Sequence, residues 1–313
     1  MKLLFMGTPG IAVPSLKALV ESGKNEVKVV TRIDSKKGRG LKVSSSPVKE
    51  YALSKGLEVI QPVSVNEEGF LERIEKEKFD LCVVVSFGQI MPERLIKAPA
   101  RGSINSHFSL LPKLRGAAPI NRALMNGDTV TGVTVQYIEL KLDSGDVILQ
   151  SEENIHPEDD AGSLAERLSL LSAGMLAEAV TLIESGRAGR VKQNDTDATK
   201  APKILNKDAI MDWRKSAAEL HNFVRGLSPA PGAMTCFNGK ILKILKTGVF
   251  SSAEKTEPGK IIGFEKGLGL VVAAGSGSLC IKELQPEGKK QMPAEDFVRG
   301  HKNILSSSFT GRL

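Results

Sequence analysis

Aromatic side chains are scarce in this 313-residue chain: Phe, Trp and Tyr together make up 4%. Sequence-blind binding of single-stranded nucleic acid relies on aromatic stacking platforms, so no such platform is expected. Cysteine is scarcer. Cys82, Cys236 and Cys280 are odd in number and far apart. No C-x-x-C or Cys/His spacing points to a metal, and none is expected. Cys82 lies in an apolar run and should pack as a small hydrophobe, a usage that suits a reducing, cytoplasmic compartment. The G-x-G-x-x-G fingerprint and the Walker lysine are both missing, which removes the usual signatures of dinucleotide and P-loop sites. No stretch approaches the roughly 20 apolar residues of a membrane span. The opening MKLLFMGTPG has one lysine and a short apolar run broken by Gly-Thr-Pro-Gly, too short for a secretion signal.

What is present suits a globular chain of two domains. Hydrophobic residues make up 41% and the formal charge is +7. The surplus is uneven. Leu205–Leu313 holds 16 basic and 10 acidic residues, so the C-terminal third carries all but one of the excess positive charges. A modestly basic domain behind a near-neutral one suggests a polyanionic partner, although the same surplus also serves ordinary solubility.

Along the chain, Lys2–Met6 (KLLFM), Glu26–Thr31 (EVKVVT), Glu58–Gln61 and Asp80–Ser86 (DLCVVVS) read as strands. Asp80–Ser86 is apolar almost throughout and reads as a buried strand of a parallel sheet. Helical patterns separate the strands at Ile11–Glu21, Ser46–Lys55 and Asn66–Lys78. In the second of these, Ser46 is a capping residue and Pro47 stands at the first helical position. Between Arg32 and Pro47 runs a loop rich in Gly, Ser, Lys and Arg, with no periodicity. Such a segment can order on a phosphate backbone. Further helices are expected at Ala117–Met125, ended by Gly127, and at Asp159–Ser185. Polar Gly186–Ile204 reads as a linker. Beyond a helix near Glu219–Val224, short glycine-punctuated strands follow at 234–237, 240–246, 259–264, 268–273 and 279–284, a pattern of a small barrel.

The chain is organised around Gly102–Leu149. Asn105 and His107 are two residues apart, so in an extended segment they face the same side. Parallel α/β sheets gather their functional groups at the carboxyl ends of the strands. Asp143 follows the alternating run Val133–Leu140 and opens Asp-Ser-Gly, a turn that can fold a carboxylate back onto the same cleft. A carboxamide donor, an imidazole that can take up and release a proton and an orienting carboxylate form a set able to stabilise an oxyanion and move a proton.

The strings Asn-Ser-His-Phe-Ser-Leu-Leu-Pro (105–112), Arg-Gly-Ala-Ala-Pro-Ile (115–120) and Leu-Asp-Ser-Gly-Asp (142–146) resemble the 10-formyltetrahydrofolate-dependent formyltransferases, most fully the members that act on methionyl-tRNA. Gly38-Arg39-Gly40, Lys200-Ala201-Pro202-Lys203-Ile204 and Met292-Pro293-Ala294-Glu295 extend the likeness over nearly the whole chain, with Lys200 where Tyr is common. The resemblance implies a Rossmann-like, doubly wound and mostly parallel α/β domain at 1–186, a linker at 187–205 and an OB-like β-barrel at 206–313 that binds tRNA. It implies Asn105, His107 and Asp143 as catalytic residues. Ser109, Leu110, Leu111 and Pro112 would contact the folate, with Phe87, Gly88, Gln89 and Ile90 nearby. The basic loop would touch the tRNA through Arg39, with Lys36, Lys37 and Lys42 beside it. The activity implied is formyl transfer from 10-formyltetrahydrofolate to the α-amine of initiator methionyl-tRNA, by a monomer without a metal. Rival acceptors are glycinamide ribonucleotide, whose enzymes lack the basic barrel, and a nucleotide sugar, against which the Gly-Arg-Gly loop argues. A folate- or RNA-binding module without turnover is the alternative of a different class.

Overall fold

The structure, a computed structural model, describes residues 1–37, 42–250, 256–301 and 303–311. It divides into two compact units. The first joins Met1–Gly116, Val130–Asn154 and Ala165–Lys200, and the second joins Ala117–Thr129, Ile155–Leu164 and Ala201–Leu313.

The first unit is built on β1 (Lys2–Gly7), β2 (Glu26–Val30), a small hairpin of β3 (Ser35–Lys37) and β4 (Lys42–Ser44), β5 (Val59–Ile60), β6 (Leu81–Val85), β7 (Ser103–His107), β8 (Val130–Tyr137) and β9 (Val147–Asn154). Seven of these form one sheet in the order β5-β2-β1-β6-β7-β8-β9. The pairs from β5 to β7 are parallel, and β7–β8 and β8–β9 are antiparallel. The fold is α/β with a mostly parallel sheet. Leu3, Leu4, Phe5 and Met6 are completely buried, as a parallel strand covered on both faces requires, and each such side chain contributes about 1.5–3 kcal/mol of burial. Helices α1 (Val13–Glu21), α2 (Pro47–Ser54), α3 (Glu68–Glu77) and α4 (Glu93–Lys97) alternate with the strands. Ser46 caps α2 by accepting from the Lys49 N–H at 3.1 Å, and its hydroxyl lies 2.8 Å from that of Thr31. That buried bond ties together the two ends of the basic loop.

The second unit contains α5 (Pro119–Asn126), which Gly127 ends at φ +79°. The long α6 (Ala161–Glu184) begins here, and most of its length belongs to the first unit. Next comes α7 (Ala217–Leu227), fixed at its start by a reciprocal capping box between Ser216 and Glu219. The strands are β10 (Ala233–Phe237), β11 (Lys240–Phe250), β12 (Ile261–Glu265), β13 (Gly269–Ala273), β14 (Ser278–Pro286) and β15 (Met292–Pro293), followed by α8 (Ala294–Arg299). They form a separate antiparallel sheet in the order β10-β11-β14-β13-β12, with β15 on β14. Trp213, Phe237, Phe297 and Phe309 are buried in its core, so they offer no stacking surface. His221 is half-buried and bonds Thr247 Oγ1 at 3.0 Å; burial lowers its pKa below the ordinary range.

Candidate active site

The site grows from the carboxyl end of β7. Strand alternation puts Ser106 on one face, where its hydroxyl lies 2.7 Å from that of Ser172 on α6, itself 3.1 Å from Ser15 on α1. Asn105 and His107 lie on the opposite face. The antiparallel neighbour β8 adds to that face, because Gln136 pairs with Asn105 and Thr134 with His107. Among the described residues the Asn105 carboxamide has no hydrogen-bond partner, so its N–H2 is available to a ligand.

His107 is buried. Its Nε2 lies 2.9 Å from the Leu114 carbonyl. A carbonyl can only accept, so Nε2 carries the ring proton and Nδ1 is left to exchange one. Nδ1 faces Asp143 Oδ2 at 3.7 Å, longer than a hydrogen bond; in the neutral ring both atoms are acceptors, so the two pair only once Nδ1 has taken up a proton. Strand β8 ends at Tyr137, and the chain reaches Asp143 through a loop. There Asp143 adopts φ +50°, a left-handed conformation that Asp tolerates better than most residues. Its Oδ2 accepts from the Gly116 N–H at 2.8 Å and its Oδ1 from Gln136 Nε2 at 3.3 Å.

Gly145 shapes that loop. A Cβ on it would lie 1.9 Å from the Tyr137 carbonyl oxygen, and backbone cannot yield as a flexible side chain can. Gly145→Ala is therefore expected to move Asp143 away from His107. The expected outcome is a fall in kcat on the order of 10²-fold, with thermal stability lowered by about 1–3 kcal/mol. Turnover measured together with a melting curve checks it; unchanged turnover would show that the loop tolerates the methyl group.

The other expected contacts are distributed as follows. Ser109–Pro112 lies just past β7. Ser109 Oγ donates to the Lys113 carbonyl at 2.6 Å, and Thr134 Oγ1 donates to the Ser109 carbonyl at 2.7 Å. Thr134 Oγ1 also accepts from the Leu111 N–H at 3.1 Å, and Gln150 donates to the Leu111 carbonyl at 2.9 Å. The Leu111–Pro112 peptide is cis. Leu110 is half-buried. The turn after β6 holds Phe87 buried, Gly88 at φ +91° and Ile90 87% exposed. Gln89 Oε1 accepts from the Val65 N–H at 3.0 Å. Arg39 lies outside the described residues. Lys36, Lys37 and Lys42 lie on the β3–β4 hairpin, where their backbone alone is described. No group of three or more His, Cys, Asp or Glu among the described residues is placed to hold a metal ion, and no described helix is long and apolar enough to cross a membrane. Burial pushes the Cys82 thiol up to about 12, so it stays a weakly reactive thiol at neutral pH.

The sequence pattern described as formyl transferase matches residues 1–180, and that of the formyl transferase C-terminal domain matches residues 203–302. The chain belongs to the formyl transferase family. Among relatives in the family, it is 44% identical over 300 residues to the methionyl-tRNA formyltransferase of Syntrophus aciditrophicus, covering 96% of each chain. It is likewise 44% identical to that of Bacillus licheniformis, covering 96% of this chain and 95% of the relative. Two solved structures share the fold. One is HypX from Aquifex aeolicus in complex with tetrahydrofolic acid, with TM-score 0.67 and 17% identity. The match covers 95% of this chain and 47% of HypX, so this formyl transferase spans about half of HypX. The other is the sugar 3N-formyl transferase WlaRD, with TM-score 0.65, 20% identity, and 93% and 99% of the two chains covered.

Four residues of the site escaped the sequence reading: Arg115, Gln136, Gln193 and Thr199. Gln193 and Thr199 belong to the polar stretch read as a linker. That stretch packs on the first unit, with Val191 bridged to Val147 and Lys200 to Arg115. Thr199 Oγ1 accepts from the Leu114 N–H at 2.8 Å, and its carbonyl accepts from the Arg115 N–H at 2.9 Å. Nothing in the pattern of 187–200 signals this, because the contacts are polar, distant in sequence and without period.

Proposed function

We propose that this formyl transferase moves the formyl group of 10-formyltetrahydrofolate directly onto the α-amine of initiator methionyl-tRNA, through a tetrahedral intermediate. The observation that carries the reading is the full-length likeness to methionyl-tRNA formyltransferases; Asn105 and His107 on one face at the end of β7, with Asp143 facing His107 from a loop, support it. The amine nitrogen bonds to the formyl carbon, the carbonyl π pair moves to oxygen, and the bond from carbon to N10 then breaks. The amine gives up a proton and N10 gains one. Asn105 is suited to donate to the oxyanion, His107 to carry the proton through Nδ1, and Asp143 to orient the ring.

In this reading the folate lies against Ser109, Leu110, Leu111 and Pro112 and the turn of Phe87, Gly88, Gln89 and Ile90. The tRNA meets the basic loop through Arg39, with Lys36, Lys37 and Lys42 beside it, and affinity falls steeply with salt. The working division is a catalytic domain at 1–186, a connecting segment at 187–205 and an OB-like barrel at 206–313 that binds tRNA, in a monomeric cytoplasmic enzyme. The test offers 10-formyltetrahydrofolate with methionyl-tRNA, uncharged tRNA, glycinamide ribonucleotide or an amino sugar nucleotide as acceptor. Formylation of methionyl-tRNA alone is expected. Formylation of a small amine alone would keep the catalytic trio and discard the tRNA reading. Folate binding without any turnover would favour a binding module.

A further inference from the structure

We infer that Gln193 is a positioning residue for the reaction proposed above, holding the Asp143 loop in register with His107. Its amide nitrogen lies 3.0 Å from the Asp143 carbonyl, 2.8 Å from the Gly145 carbonyl and 2.9 Å from Gln136 Oε1. All three are acceptors, so the nitrogen acts only as a donor toward them. Gln136 passes the constraint on, its own amide donating to Asp143 Oδ1. One side chain thus fixes both the backbone of Asp143 and the partner of its carboxylate.

Gln193 is itself held from behind. Arg115 donates to its Oε1 through Nε at 3.0 Å and Nη2 at 2.7 Å, and through Nη1 to Asp195 at 2.8 Å. This two-pronged grip settles which end of the amide is oxygen and so which end faces the loop. The Arg115 side chain is only 9% exposed, and the next residue, Gly116, supplies the N–H bonded to Asp143 Oδ2. The two sides of the Asp143 carboxylate are therefore set by a single assembly that runs from Arg115 through Gln193 to Gln136.

The inference rests on the proposed reaction, and the test separates the two. Gln193→Leu, Gln193→Glu and Asp143→Ala are compared with the parent, together with each Gln193 change in the Asp143→Ala background. Gln193→Leu is expected to lower kcat on the order of 10²-fold, with KM for both substrates within about twofold, since the bonds of Gln193 go to Arg115, Gln136 and the Asp143 loop. Gln193→Glu keeps the Arg115 pair but sets an acceptor against three acceptors, so it is expected to fare no better. In the Asp143→Ala background both changes should have almost no further effect. Full activity of Gln193→Glu would reduce the residue to a brace for Arg115 and overturn the inference, as would additive losses. A parent protein that formylates no acceptor would defeat the reaction instead. The positioning would then be read from the His107 ring nitrogens by NMR, in a chain with four histidines. A changed Nδ1 signal for His107 in Gln193→Leu, with the other three histidines unmoved, is the expected result. An unmoved His107 signal would overturn the inference. Gln193→Asn and a melting curve serve if the leucine variant does not fold.

Discussion

His107→Ala is expected to lower kcat for formyl transfer by about 10²–10⁴-fold, the range for a positioned general acid–base group. The size follows from where the ring is held. Its Nε2 is committed to the Leu114 carbonyl at 2.9 Å, which leaves Nδ1, on the Asp143 side, to accept the proton that the attacking amine must lose. Alanine removes the acceptor and leaves a cavity at a buried position. The orphaned Leu114 carbonyl and the cavity together cost on the order of 2–4 kcal/mol of stability, less than the roughly 5–15 kcal/mol typical of a folded domain, so the protein should remain folded at the temperature of the assay. Steady-state rates measured beside a thermal melt separate the two effects. Turnover within a few-fold of the parent would remove His107 from the proton path.

Asn105→Ala should lower kcat by about 10²–10³-fold, the 2.7–4 kcal/mol typical of losing one oxyanion donor. Here the loss is almost purely functional. The carboxamide has no protein partner among the described residues, so its removal breaks no internal hydrogen bond. It sits on the same face as His107 and directly across from Gln136. KM for the donor should change little, because the interaction strengthens only as charge develops on the formyl oxygen. Asn105→Asp is a sharper form of the test. The shape is kept, but an ionised carboxylate has no proton to donate and repels the oxyanion, so the loss should be at least as large. A rate close to the parent's in the aspartate variant would show that Asn105 does not donate to the reacting oxygen.

Much of this was legible from residue patterns because it is local. The apolar strand β6 announces a parallel sheet by its lack of alternation, and Leu81–Val85 is buried as that pattern demands. Ser46-Pro47 starts α2 with the bond a capping serine makes. Asn105 and His107 could be paired from their spacing alone, since a strand repeats every two residues. What escaped depends on partners distant in sequence. The reversal of direction at β8 and β9 is set by pairing across the sheet. Strand β11 runs to Phe250, with a register shift between Ile244 and Thr247, and its expected end at Lys246 falls within that irregular stretch. The hairpin of β3 and β4 has too little periodicity to be seen. Gln193 is the clearest case. Its surroundings in sequence are polar and unpatterned, yet its amide nitrogen reaches back about fifty residues, to two carbonyls of the loop around Asp143 and to Gln136 on β8.

Single-turnover transfer from a donor labelled in its formyl group, with enzyme in excess over methionyl-tRNA, tests the central claim most directly. Label is expected to leave the folate and reach the methionyl α-amine at one and the same rate, with none on the protein at any time, and both rates are expected to collapse together in His107→Ala. Label captured on the protein before it reaches the amine, or label that never reaches methionyl-tRNA, would contradict it.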